Sequence, residues 1–83
     1  MTHDRANKTG KLRYGLVLEQ GEDGWIVVRF PSFPGTITQG RTLEEALVNA
    51  REALELTIEC MREDGEALPE PDLGVEMIEV NAA

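Results

Sequence analysis

Apolar and polar residues alternate across residues 12–19, with Leu12, Tyr14, Leu16 and Leu18 on one face and Arg13, Gly15, Val17 and Glu19 on the other. This period of two predicts a half-buried strand. An acidic loop with two glycines follows at 20–24, and residues 25–30 return as the second arm of a β-hairpin. Within that arm Ile26, Val28 and Phe30 share one face, while Trp25, Val27 and Arg29 share the other. Both faces are apolar. If Ile26, Val28 and Phe30 meet the core, Trp25 and Val27 lie with Val17 on a face that a lone sheet leaves wet.

Pro31 and Pro34 each hold φ near about −65° and lack a backbone donor, so the ladder of the second strand stops at Phe30. Pro34 and Gly35 have the residue types of a type II turn, and Thr36, Ile37 and Thr38 re-enter β structure until Gly40 breaks it. Thr42 reads as a helix N-cap, with Glu45 completing a capping box and the helical period beginning at Leu43. The helix is predicted to run to about residue 64. Its stripe of Leu43, Leu47, Ala50, Leu54, Ile58 and Met61 is expected to cover the sheet. Ala46, Ala53, Thr57 and Cys60 widen that stripe, and Leu56 falls nearly opposite its centre, so the arc exceeds what one sheet face needs and implies a second contact. Glutamates fill the remaining surface, with Arg51 and Arg62 spaced to pair with Glu55 and Glu59. Gly65 supplies a C′ stop, residues 66–72 form a proline-containing connector, and residues 74–80 are expected to form a last strand. The predicted architecture is α+β, a small antiparallel sheet with one long helix packed on it in the order β-β-β-α-β. It occupies residues 12–80, between a flexible leader at 1–11 and a tail at 81–83.

The run FPSFPGTITQGRTLEEA at 30–46, preceded by a tyrosine-containing strand and an acidic hairpin with Gly24 and Trp25, resembles the N-terminal domain of the HicB antitoxin family. The similarity spans about residues 14–71. Ser32 stands where that family usually carries an acidic residue, which reads as loop variation. The resemblance implies a partial RNase H-like fold without the full RNase H catalytic set. It also implies a partner, a HicA-type toxin, which is a small basic mRNA-cleaving ribonuclease with a double-stranded-RNA-binding-like fold, neutralised when its active surface is covered. Longer members append a DNA-binding domain after the connector and repress their own operon; this chain ends at Ala83, so repression is not expected of it.

A chain of 83 residues buries only about 60–65% of the surface its unfolded form exposes. Association that hides more apolar area would stabilise it, so a dimer or tetramer is expected. Sixteen acidic against eight basic residues give a formal net charge of −8, which disfavours direct nucleic-acid binding and favours a basic partner. The same excess also serves solubility, so charge alone does not choose between them. Cys60, the single cysteine, excludes an intrachain disulfide. No secretory leader and no run of the roughly 20 apolar residues needed to span a bilayer is present, so a cytoplasmic protein that does not enter membranes is expected.

Catalysis finds little support. The one histidine, His3, belongs to the polar leader, and Cys60 falls on the flank of the buried arc, so no nucleophile has a base at hand. Glu19, Glu76, Glu79 and the helix glutamates supply a nuclease's ligand type, but no neighbouring donors mark a metal site, and a solvated acidic face is the better reading. Gly35, Gly40 and the helix start imitate a phosphate loop only loosely, with no lysine after Lys11. Trp25, Tyr14, Phe30 and Phe33 lack the interleaved cations of a base-stacking surface. No enzyme, cofactor or metal is expected.

Two readings remain. One is an antitoxin-like binding module; the other is an orphan oligomeric scaffold or small-ligand-binding module without a toxin. A small basic reading frame beside the gene favours the first. Candidate interface residues are Val17, Trp25, Val27 and Leu56, while Pro31, Pro34, Gly35, Gly40, Thr42 and Glu45 set the backbone path.

Overall fold

A computed structural model describes residues 11–82, so the greater part of the leader, with His3, lies outside the described residues. Strand β1 (Val17–Gln20) turns through Glu22–Gly24 into β2 (Ile26–Phe30), which is followed by β3 (Phe33–Gly40) and helix α1 (Leu43–Glu63). The three strands form one antiparallel sheet in the order β1-β2-β3. The helix lies on β3 and to a lesser extent on β2, which leaves the β1 side of the sheet uncovered.

The first hairpin turns where the acidic loop is predicted. Asp23 and Gly24 both take positive φ, 56° and 80°, a conformation that glycine adopts freely and aspartate tolerates. Only residues 17–20 of the predicted first strand pair, because β2 offers no ladder past Phe30, where Pro31 follows. Tyr14 and Leu16 still pack on the core from the extended segment before β1.

The second turn departs from expectation. The chain reverses at Pro31 and Ser32, which makes Phe30 and Phe33 register partners, and Gly35 does not take positive φ. Arg29 pairs with Ile37, so Pro34, Gly35 and Thr36 are extra residues on β3. On an edge strand such an irregularity absorbs a proline without losing a ladder bond.

The core consists of Val28, Phe30, Phe33, Ala46 and Ala50, with Tyr14, Leu16, Ile26, Leu54, Ile58 and Met61 packed around it. The sheet face is the predicted one; the helix face is turned. Ala46 and Ala50 are buried, whereas Leu43 and Leu47 are exposed. The cause is the close approach at Gly40, where an added Cβ would lie 2.7 Å from Ala46 Cα, so small residues must face the sheet there. Two further bonds hold the helix over β3: the Thr36 and Thr57 hydroxyls at 2.9 Å, and Asn49 Nδ2 donating to the Gln39 carbonyl at 2.8 Å.

Thr42 caps the helix, its Oγ1 accepting from the Glu45 amide at 3.0 Å. Glu45 reaches back one residue further than a capping box requires and accepts from the Arg41 amide at 2.6 Å. At the other end Gly65 takes φ 71°, and the Gly65 and Glu66 amides donate to the Arg62 and Met61 carbonyls, the two bonds of a Schellman stop. Among the described residues Arg51 and Arg62 form no ion pair with Glu55 or Glu59.

The predicted last strand does not form. Residues 74–80 carry no secondary structure, and Met77 and Ile78 are 90% and 83% exposed. The connector instead folds back beside the segment before β1. There the Asp72 amide donates to the Arg13 carbonyl at 3.0 Å, and the Tyr14 hydroxyl donates to the Pro69 carbonyl at 2.6 Å. The order within the described residues is therefore β-β-β-α, still an α+β layer of one sheet and one long helix.

Candidate docking surfaces

The two-layer fold presents three surfaces, each built by a different element. On the outer face of the sheet, register places Val17, Arg29 and Ile37 in one row and Glu19, Val27 and Gln39 in the next. Val17 and Ile37 are exposed and Val27 half-buried. Arg29 Nε donates to Glu19 Oε1 at 2.7 Å and neutralises the centre of the face. Trp25 sits at its margin under the Arg41 guanidinium, 3.9 Å from the ring centroid, a cation–π contact that ties the hairpin to the helix start. Tyr14, Phe30 and Phe33 are not on this face. They belong to the core, where the Tyr14 and Phe33 rings meet edge to face at 4.8 Å.

Leu56 does not join the other three candidates. It lies in the helix layer, 61% exposed. Glu52 and Glu59, one turn either side, and Glu63, two turns on, share its outer face with Val48 and Glu55, so two exposed apolar side chains stand in an acidic field. Cys60 is exposed on the same helix, outside the buried arc in which the pattern placed it.

The third surface was not anticipated from the sequence. Because α1 covers β3 and β2 but not the β1 side, an open groove of about 830 Å³ runs between residues 11–16 and the helix flank. Leu16, Phe30, Leu54 and Ile58 form its apolar floor. Lys11, Arg13, Arg51 and Arg62, half of the eight basic residues of the chain, line its rim, against the single acid Glu55. Nothing in the linear pattern flags this, because the four cations come from two separate segments.

Asp72 ties the segment before β1 to the rest of the chain. Its Oδ2 accepts from the Gly15 amide at 2.7 Å, and its Oδ1 accepts from the Ser32 hydroxyl at 3.2 Å, so one carboxylate joins the connector, the segment before β1 and the β2–β3 turn. Burial, with the Asp72 and Glu70 carboxylates nearby, pushes the Tyr14 hydroxyl above its ordinary pKa of 10.0, partly opposed by Arg62. Among the described residues no three His, Cys, Asp or Glu side chains come together as a metal site. No described helix is long and apolar enough to cross a membrane.

These are the candidate docking faces of a small acidic two-layer domain. The family described as "HicB_like antitoxin of bacterial toxin-antitoxin system" matches residues 14–82. The chain belongs to this HicB-like antitoxin family. A UPF0150 protein of Archaeoglobus fulgidus is 39% identical over 71 residues, which are 83% of this chain and 96% of that one. Antitoxin HicB 1 of Photorhabdus laumondii is 45% identical over 60 residues, covering 72% of this chain but 39% of that protein, and antitoxin HicB of Escherichia coli K12 is 35% identical over 60 residues and matched over 44% of its length. The chain thus spans nearly all of its UPF0150 relative and under half of these HicB antitoxins. In structure it is similar to the N-terminal domain of the Burkholderia pseudomallei antitoxin HicB, with a TM-score of 0.59 and 28% identity over 65% of this chain and 64% of that one. Membership of this family supports an antitoxin role in a toxin-antitoxin system.

Proposed function

We propose that this HicB-like chain neutralises a small basic mRNA-cleaving toxin of the HicA type by covering its active surface. In this reading it acts in the cytoplasm by binding alone, catalyses nothing, and does so as a dimer or tetramer.

The observation that carries the reading is the helix face on which Leu56 and Val48 stand exposed among Glu52, Glu55, Glu59 and Glu63. An apolar anchor supplies affinity when a partner desolvates it, while the surrounding carboxylates speed the encounter with a cationic surface and fix its register. The net charge of −8 acts in the same direction at longer range. The outer sheet face of Val17, Val27 and Trp25, with its charge already balanced by Arg29 and Glu19, suits a contact that carries no such field. The groove is the observation on the side of the other reading, a toxin-free oligomeric module that holds a small ligand.

Leu56→Lys together with Glu59→Lys should weaken binding to a small basic HicA-type toxin by at least tenfold while the helical circular dichroism stays unchanged. Unaltered affinity in the folded double variant would move the contact off this face.

A further inference from the structure

Residues 73–80 read as a strand yet pair with nothing in their own chain. Asp72 explains why. Its amide begins a parallel ladder on the Arg13 carbonyl, but its side-chain carboxylate takes the Gly15 amide, which the Asp72 carbonyl would accept if the ladder continued. Val75 still touches Gly15, where an added Cβ would lie 2.7 Å from Val75 Cγ2. Beyond it the segment leaves the edge, and Met77, Ile78 and Val80 face solvent.

The groove between residues 11–16 and α1 is the complement of that segment. Its floor is apolar and its rim cationic, and among the described residues Arg13, Arg51 and Arg62 form no ion pair. In an acidic chain this selects an occupant that is both apolar and anionic. Residues 73–80 carry Glu76 and Glu79 interleaved with Leu73, Val75, Met77, Ile78 and Val80. The lengths also match: an extended stretch over 74–80 spans roughly 23 Å, and the helix flank from Leu47 to Arg62 spans about 22 Å.

We propose that residues 73–80 of a second copy of this chain lie in the groove, and that the exchange is reciprocal, giving a two-fold dimer in which each protomer supplies the strand-like segment that the other lacks. Ile78 turns to the floor against Leu54 and Ile58, while Glu76, two positions before it, and Glu79, one after it, meet the guanidinium groups of Arg51 and Arg62 on the rim. The tether at Asp72 holds each segment outside its own groove, which makes the pairing intermolecular. The dimer requires no toxin.

Light scattering on the full-length chain at tens of micromolar is expected to give twice the 9.2 kDa of one chain. Met77→Asp with Ile78→Asp should halve that mass with the helical signal retained. Arg51→Glu with Arg62→Glu should weaken the dimer at least tenfold, and adding Glu76→Arg and Glu79→Arg to the same chain should restore it. A wild-type mass of 9.2 kDa overturns the proposal. So does a dimer that survives Met77→Asp with Ile78→Asp and is broken instead by Trp25→Glu, which would place the contact on the outer sheet face.

Discussion

Gly40 at the end of β3 touches the backbone of Ala46 in the first turns of α1, so closely that a methyl group there would lie 2.7 Å from Ala46 Cα and 2.9 Å from the Glu45 carbonyl carbon. Neither obstacle is a flexible side chain that can swing away. Gly40→Ala should therefore force the helix off the sheet and cost about 1–3 kcal/mol, read as a fall in Tm of roughly 4–8 °C per kcal/mol for a domain of this size. An unchanged Tm would show that the layers are not held at the distance described.

Asp72 is the joint of the connector. In Asp72→Ala the Gly15 amide and the Ser32 hydroxyl lose their shared acceptor, a loss of about 1–2 kcal/mol. Amide exchange at Gly15 should accelerate while exchange in β2 changes only by the global loss. Protection at Gly15 equal to wild type would mean that the carboxylate is not its partner.

Tyr14 makes stability sensitive to alkali. Its folded pKa lies above the ordinary value, through burial first and then the Asp72 and Glu70 carboxylates. The unfolded chain therefore loses the phenolic proton at lower pH than the folded one. The stabilisation is fully present below about pH 10 and declines as pH rises through the folded pKa. Tyr14→Phe should lower stability at pH 7 by about 1 kcal/mol, through loss of the hydroxyl bond to Pro69, and flatten the alkaline decline. An alkaline limb of the same steepness in Tyr14→Phe would assign it to another group.

What the chain reveals by itself is what neighbouring residues decide. The Asp23–Gly24 turn, the Thr42 cap and the Gly65 stop each depend on a few adjacent residues, and each lies where the pattern put it. Contacts between distant segments were not legible in the same way. Pro34 and Gly35 have the composition of a turn, but the pairing of Phe30 with Phe33 reverses the chain before they are reached. Leu43 and Leu47 outweigh Ala46 and Ala50 in any hydrophobic stripe, and only the contact at Gly40 shows that small residues face the sheet. The last strand fails for a reason no periodicity carries, a side-chain carboxylate standing where a backbone carbonyl would be. Of the candidate interface residues, Val17, Trp25 and Val27 share one side of the sheet and Leu56 stands alone in the helix layer. The alternation along the strands and the helical period already put the first three on the outer sheet face and Leu56 opposite the helix stripe.

The central proposal, that this acidic domain works by covering a basic ribonuclease, is tested most directly by titrating the purified chain into an RNA-cleavage assay of a small basic HicA-type toxin. The account predicts that cleavage falls to background near one antitoxin chain per toxin, and that Leu56→Lys with Glu59→Lys shifts the titration to at least tenfold higher concentration. Cleavage that continues undiminished at saturating antitoxin would contradict it.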